Sequence, residues 1–137
     1  MPLTILLSSF SYKKSGLPAD HTGNGGGFIF DCRFIYNPGR KEEFKSLCGY
    51  DKEVISFLES QKEMKKFLGN VFAIIDPAIE NYLERNFTHL MISFGCTGGQ
   101  HRSVYAAEKT KEHISKKYPG VIIELHHVQL EKGLNIA

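Results

Sequence analysis

The sequence predicts a single α/β domain of three layers, in which a small parallel or mixed sheet of about four strands carries helices on both faces. Three observations favour this class. The 137 residues are enough for one hydrophobic core without disulfide staples. Short apolar runs alternate along the chain with amphipathic segments of helical spacing, and no repeat or polar tract interrupts them. We therefore expect residues 1–137 to form one domain.

The N-terminal part of the chain predicts two strands separated by a loop. Leu3–Ser8 is a short apolar run, and Phe28–Tyr36 is rich in aromatic side chains and ends at the turn Asn37-Pro38-Gly39. Between them, residues 11–27 contain too many glycines for a regular element. We expect a mobile Gly-rich loop over this stretch.

Helices and strands alternate in the rest of the chain. Asp51 is a suitable N-cap for a helix with apolar residues from Val54 to Met64, and Gly69-Asn70 predicts a break after it. The further predicted elements are a helix over Val71–Arg85, a strand over His89–Phe94, a helix over Ser103–Lys117 and a strand over Val121–Leu130.

A Gly-rich turn of nine residues, Gly95–Ser103, joins the predicted third strand to the helix that follows it. Glycines allow positive φ and bring successive N–H groups close to a ligand, while the helix adds unpaired amides and the positive end of its dipole. Hydroxyl groups and a guanidinium that grips two oxygens complete a phosphate site. The predicted phosphate-binding residues are Thr97, Gly98, Gly99, Gln100, His101, Arg102 and Ser103. The alternative is a strand-to-helix turn that binds nothing.

Two further groups of polar residues are candidates for the same pocket. Asp31 and Arg33 share one face of the predicted second strand, where they are either a ligand-facing acid and base or a partly buried ion pair. His126 and His127 face opposite sides of the last strand and cannot chelate one ion together, and His127 is predicted to lie near the pocket. We expect no metal and no cofactor.

Composition narrows the class of protein. A formal net charge of +2 does not by itself indicate nucleic acid. Three cysteines without a CxxC pair suggest neither a disulfide framework nor a zinc site, and a reducing cytoplasm fits best. Because the chain has no basic leader and no apolar run of about 18 residues, we expect neither export nor a membrane anchor.

Four motifs occur in order between about Ser9 and Lys132. They are Ser9-Phe10-Ser11-Tyr12-Lys13 with Gly16-Leu17-Pro18, Phe30-Asp31-Cys32-Arg33-Phe34 with Asn37-Pro38, Gly49-Tyr50-Asp51 with Val54, Phe57 and Leu58, and the stretch from Gly95 to Val104. Together they resemble the C-terminal domain of the RapZ family, bacterial adaptors in RNA turnover and amino-sugar control. The last motif is similar to the family's most distinctive stretch, G-C-T-G-G-x-H-R-S-V.

The resemblance implies a regulatory α/β domain that senses a phosphorylated amino sugar and contributes to RNA binding and to assembly with a ribonuclease. It assigns the phosphate to Thr97, Gly98, Gly99, His101 and Arg102, and it makes Asn37 a candidate for the pocket. The candidate RNA contacts are Lys13, Lys14, Arg40 and Lys41, together with Arg33 and Arg102. Because relatives of this kind oligomerise, a homo-oligomer is expected.

The chain departs from the family pattern in two ways. Full-length members carry an N-terminal nucleotide-binding domain with a G-x-x-x-x-G-K-[ST] loop, and no such motif occurs in this sequence, so the resemblance does not imply ATP hydrolysis. Gly39 and Val128 stand where the family tends to have His and Arg. Each change removes a polar contact.

An enzyme is the alternative function. Cys96 to Arg102 followed by Ser103 satisfies C-x5-R-S, the loop of cysteine-dependent phosphatases, in which Cys96 would be the nucleophile and Arg102 would bind the phosphate. The leaving oxygen then needs a general acid, for which only Asp31 and Asp76 are candidates.

Overall fold

A four-stranded parallel sheet organises the protein in the computed structural model, which describes residues 2–133. The strands are β1 (Thr4–Ser11), β2 (Gly27–Asp31), β3 (His89–Cys96) and β4 (Ile122–His127), in the order β2-β3-β1-β4. The helices are α1 (Lys52–Glu59), α2 (Lys62–Glu84), α3 (Arg102–Lys117) and α4 (Val128–Glu131), with short 3-10 turns at Pro38–Arg40 and Glu42–Phe44. The predicted α/β class is confirmed, and every strand pairing is parallel.

The core lies on one face of the sheet. Ile5 pairs with Leu90 and Leu7 with Ile92 in the register of β1 and β3, so these four side chains point to the same face, and all are buried. They share one hydrophobic cluster with residues of α1, α2 and α3. The other face carries α4 and residues 18–19, which line a groove over the sheet. The layers are those of a three-layer α/β fold.

The second strand is shorter than predicted. β2 ends at Asp31, and the chain turns at Cys32 instead of continuing to Tyr36. The guanidinium of Arg102, far away in sequence, draws the carbonyl groups of Arg33 and Ile35 out of the strand direction. A pattern of aromatic residues carries no sign of such a long-range contact.

The predicted break at Gly69-Asn70 is wrong, because α2 is continuous from Lys62 to Glu84. A buried apolar stripe runs through it, and Gly69 sits where an added Cβ would meet only open space. Burial of the stripe outweighs the cost of one helical glycine, which is about 1 kcal/mol. The residues of the stripe are Met64, Leu68, Val71, Ile75 and Ile79.

The end of the chain also differs from the prediction. β4 stops at His127, and residues 128–131 form α4 in place of the last part of the predicted strand. This turn buries Gln129 against Gly99 of the Gly-rich turn. The predicted domain of residues 1–137 includes Met1 and residues 134–137, which lie outside the described part of the chain. Within residues 2–133, no helix is long and apolar enough to cross a membrane.

The predicted loop over residues 11–27 has no regular element between the end of β1 and the start of β2. The Asp20 carboxylate accepts hydrogen bonds from the backbone N–H and hydroxyl of Thr22 and from the N–H of Gly26. Its mobility stays a prediction. The predicted N-cap at Asp51 is confirmed by position, although the carboxylate accepts the N–H of Cys48 and not a helical amide.

A polar cluster joins α2 to the last turns of α3. Asp76 accepts a hydrogen bond of 2.8 Å from Lys117 Nζ, and its other oxygen lies 2.8 Å from His113 Nε2. Burial raises the pKa of the Asp76 carboxyl, but the hydrogen bonds from Lys117 and His113 lower it, and the net shift is downward. The ionised form of Asp76 therefore stabilises the fold.

We expect Asp76→Asn to lower the free energy of unfolding at pH 7 by about 1.5–3 kcal/mol, the range for hydrogen bonds to a charged group. Since the folded pKa lies below the ordinary 3.8, this stability is present above that pH and is lost as the pH falls through the folded value. Urea unfolding at several pH values measures it. Glu84→Gln, at an exposed position on the same helix, is the control. A difference between wild type and Asp76→Asn that does not shrink below pH 4 would contradict this account.

Candidate phosphate-binding site

The carboxyl ends of all four strands lie at one edge of the sheet, where parallel α/β proteins place their ligands. β3 ends there at Cys96, and α3 begins at Arg102 after the Gly-rich turn. A cavity of about 190 Å³ opens between this turn and the loop that follows β2. It is lined by Asn37, Gly39, Lys45, Cys96, Gly98, Gln100, His101 and Arg102.

The backbone of the turn has the form that an anion site needs. Gly99 has a φ of +65°, and a Cβ there would lie 2.9 Å from the N atom of Ser11, so conformation and packing both require glycine. A Cβ at Gly98 would meet nothing within 4 Å. Among residues 2–133, no N–H group from Thr97 to His101 donates a backbone hydrogen bond. Of these residues, Gly98, Gln100 and His101 line the cavity.

Arg102 is a buried cation at the cavity, with only 3% of its surface exposed. Its Nη1 donates to the carbonyl oxygens of Arg33 at 2.8 Å and Ile35 at 2.7 Å, and more weakly to Cys32 at 3.4 Å. Its Nε is also buried and has no hydrogen-bond partner in the described structure. One side of the guanidinium is thus anchored, and the Nε donor is left over.

Gln100 and His101 hold the loop after β2 against the turn. Gln100 Nε2 donates to the carbonyl oxygens of Lys45 at 2.7 Å and Leu47 at 2.6 Å. His101 Nε2 lies 2.8 Å from the Phe44 carbonyl oxygen, which only accepts, so this nitrogen carries the proton. Burial lowers the pKa of His101 from 6.5, which makes the ring neutral at pH 7. These two side chains position the loop.

Cys96, Ser103 and Thr97 complete the predicted turn. The Cys96 thiol donates to Ser103 Oγ at 3.1 Å, and both residues are buried. Thr97 is exposed, and its carbonyl oxygen accepts a hydrogen bond of 2.6 Å from Ser11 Oγ. Cys96 lines the cavity, whereas the side chains of Thr97 and Ser103 do not.

Asp31, Arg33 and His127 lie outside the lining of the cavity. Asp31 and Arg33 form an exposed ion pair of 2.8 Å, and the hydrogen bond from Arg33 is the main cause of the lowered pKa of Asp31. His127 lies between Ser9 Oγ and Glu108 Oε2, 2.7 Å from each, where it links β1 and β4 to α3. Asn37 does line the cavity, and its Oδ1 accepts the N–H of Gly39.

Comparisons with known proteins place the sequence in a family. The sequence model of the family described as the RapZ C-terminal domain matches residues 3–131. A nucleotide-binding protein of Nitrosomonas eutropha is 41% identical over 81% of this chain and 36% of its own length. Similar proteins of Glaesserella parasuis and Fusobacterium nucleatum, also named nucleotide-binding proteins, are 37% and 38% identical over 95% and 96% of the chain.

The chain belongs to the RapZ C-terminal domain family. It spans about two fifths of the length of these curated relatives, 36–44%. The names of these relatives describe them as proteins that bind nucleotides.

Lys45 of this RapZ domain lines the cavity, although it is not among the residues that the sequence predicts for the site. It belongs to no motif, and the Gln100 side chain holds it at the cavity by donating a hydrogen bond of 2.7 Å from Nε2 to the Lys45 carbonyl oxygen. Its Nζ lies 2.9 Å from Glu42 in an exposed ion pair. At Gly39 an added Cβ would lie 3.1 Å from Asn37 Oδ1 and 3.2 Å from Cε1 of His101, so the ring of His101 packs closely against this glycine.

The candidate RNA contacts of the RapZ domain lie on two segments near the same edge of the sheet. Lys13 and Lys14 are exposed directly after β1. Arg40 and Lys41 follow the cavity residue Gly39 and lie over aromatic rings, Arg40 at 6.0 Å from the Tyr36 ring centre and Lys41 at 5.0 Å from that of Phe57.

The turn gives a direct test of its backbone requirement. We expect Gly99→Ala to lower the free energy of unfolding by about 1–3 kcal/mol, because alanine is strained at this φ and its Cβ would contact β1. Gly98→Ala is the matched control, and its effect is expected to stay within about 1 kcal/mol. Denaturant unfolding of both variants measures the difference. Equal effects of the two substitutions would show that the turn is more plastic than this geometry requires.

Proposed function

We propose that this domain is a regulatory module that binds a phosphorylated metabolite, of the amino-sugar phosphate kind, in the cavity beside the Gly-rich turn. The observation that supports it most is the guanidinium of Arg102. A buried cation is costly unless it is paired, and this one has carbonyl partners on Nη1 but none on its buried Nε. A phosphate oxygen is the partner that this donor lacks.

The rest of the cavity favours an anion as well. Unpaired loop amides and the N-terminus of a 16-residue helix face the same region, and none of the eight lining residues is acidic. Lys45 adds a positive charge at the rim. These groups recognise a phosphate through several weak contacts that act together.

Polar groups beside the phosphate position suit a sugar. Asn37 Oδ1 is engaged by the N–H of Gly39, which leaves the amide NH₂ of Asn37 to donate to a hydroxyl group. Gly39 lines the cavity beside Asn37, and its backbone leaves that part of the wall without a side chain. We assign the hydroxyl-bearing part of the ligand to this side of the cavity.

Binding is favoured over hydrolysis, although Cys96 and Arg102 line one cavity as in a C-x5-R loop. Of the two candidate acids, Asp31 is paired with Arg33, and the pKa of its carboxyl is lowered, so it holds no proton at pH 7. Asp76 is bound to His113 and Lys117 near the far end of α3. Neither is placed to protonate a leaving oxygen beside Cys96.

Calorimetric titration tests the proposal with glucosamine-6-phosphate, glucosamine, inorganic phosphate and a nucleotide. We expect saturable binding of the sugar phosphate and none of glucosamine. Lys45→Ala should weaken the sugar phosphate about five- to tenfold, as expected for one partly exposed charge. Lys116→Ala, at the opposite end of α3, is the matched loss of charge and should change little. Preferred binding of the nucleotide would change the ligand class, and no binding at all would return the turn to a purely structural role.

Arg102→Ala should abolish binding, but Arg102 also anchors the loop after β2. Its thermal unfolding is therefore measured with its affinity. Loss of affinity in a variant that still unfolds cooperatively supports a direct contact with the phosphate.

RNA is the macromolecular partner that we propose beside the metabolite, through Lys13, Lys14, Arg40 and Lys41. If their charges neutralise RNA phosphates, affinity should fall steeply with salt, by a log–log slope of about 0.7 per phosphate contact on a single strand. Lys13→Ala and Arg40→Ala should each reduce that slope, and Lys116→Ala should not. Filter binding from low to physiological salt measures it. Binding that is insensitive to salt, or the absence of binding, contradicts this part of the proposal.

A self-associating adaptor in the cytoplasm completes the proposed role. Cys32, Cys48 and Cys96 are all free thiols, which fits a reducing compartment. A protein partner and a homo-oligomer are proposed on the resemblance to the family, and sedimentation of the purified domain measures the latter.

A further inference from the structure

Two buried cysteines occupy equivalent positions on neighbouring strands. The pairing of β2 with β3 ends with Asp31 opposite Gly95. The next backbone hydrogen bond, from Cys32 N to the Gly95 carbonyl oxygen at 2.7 Å, continues the two chains side by side. Cys32 therefore follows Asp31 as Cys96 follows Gly95, one residue beyond the last pairing of the two strands. Both side chains lie in the same buried cluster.

The surroundings of the two thiols differ. Cys96 lines the cavity, and its Sγ lies 3.1 Å from Ser103 Oγ. Cys32 is fully enclosed, with 0% of its surface exposed. Burial raises the pKa of the Cys32 thiol, and the proximity of Cys96 raises it further. Cys96 is thus the thiol that a small reagent in the cavity reaches first, and Cys32 stands behind it.

We propose that Cys96 and Cys32 form an oxidation site, in which a hydroperoxide oxidises Cys96 and Cys32 then closes an intramolecular disulfide. The sulfur of the Cys96 thiol attacks the peroxide and the O–O bond breaks, so that a sulfenic acid forms and the departing oxygen leaves as the first water with the thiol proton. The Cys32 sulfur displaces the second water from the sulfenic acid, and the S–S bond forms. Two thiols supply the two electrons that reduce hydrogen peroxide to water. This site does not require that the cavity bind a phosphate.

Disulfide geometry links this oxidation to Arg102. A disulfide needs Cα atoms about 4.4–6.8 Å apart and Cβ atoms about 3.5–4.5 Å apart, and the hydrogen bond from Cys32 N to the Gly95 carbonyl oxygen keeps the two segments next to each other. Closing the bond draws the chain at Cys32 towards β3. The same segment offers the carbonyl groups of Arg33 and Ile35 to Arg102 Nη1. Oxidation therefore displaces the anchor of the guanidinium.

Cys48 provides the matched control. It is also a buried free thiol, but it lies in the loop before α1, where its N–H donates to Asp51. It is not a neighbour of either cysteine in the sheet. A reagent that oxidised cysteines without regard to position would include it.

The experiment treats the reduced chain with hydrogen peroxide, blocks remaining thiols by alkylation and determines intact mass and peptide links by mass spectrometry. We expect a loss of two hydrogens, one alkylated thiol at Cys48, and a link between the peptides of Cys32 and Cys96 that a reductant reverses. Cys48→Ser should form the same link. In Cys32→Ser, Cys96 should proceed to the sulfinic acid.

Three results would overturn the proposal: a disulfide that includes Cys48, a link between two chains, or sulfinic acid at Cys96 in the wild type at the rate found in Cys32→Ser. Circular dichroism establishes that each variant is folded. Cys32→Ala replaces Cys32→Ser where the buried hydroxyl unfolds the protein. If both fail to fold, the peptide link in the wild type and in Cys48→Ser decides the question alone.

Discussion

The fold and the site both depend on the buried guanidinium of Arg102. A charge with 3% exposure requires compensation, and the described hydrogen bonds supply it from carbonyl groups of the segment after β2. Those bonds end β2 early and fasten its loop to the first turn of α3. They use only Nη1, and the buried Nε has no partner in the described structure. One residue thus sets the path of the loop and leaves a donor for an anion.

The sequence predicts the Gly-rich turn, but it does not predict which residues of the turn face the cavity and which hold the neighbouring loop. Glycines between an apolar strand and an amphipathic helix predict an anion-binding turn from local rules, and the conformation at Gly99 agrees with them. The side chains of Gln100 and His101 bind carbonyl groups of residues 44–47, while the phosphate contact of these two residues stays a prediction. Sequence spacing cannot reveal such contacts, because they join segments more than 50 residues apart.

Differences in the fold have the same origin. At Gly69 the glycine predicts a helix end, but buried apolar residues continue on both sides of it, and their packing keeps the helix continuous. At β4 the alternating pattern continued past His127, but packing of Gln129 against the Gly-rich turn ends the strand. Residue types predicted the class and order of elements because those depend on periodicity. The exact ends depend on distant partners, and so does the recruitment of Lys45 to the cavity.

The Gly-rich turn both holds the loop after β2 and lines the cavity, so a substitution in it can change folding and binding together. Removal of Arg102 deletes the Nε donor and also releases the loop that carries Asn37 and Lys45. Lost affinity in that variant therefore has two physical causes. Lys45 differs, because its ammonium group is held only by the exposed pair with Glu42, and an exposed pair contributes about 0–1 kcal/mol to stability. Removing the charge of Lys45 therefore changes binding with little effect on folding. A substitution at Gly98 likewise leaves the fold unchanged, since an added Cβ there would meet only open space.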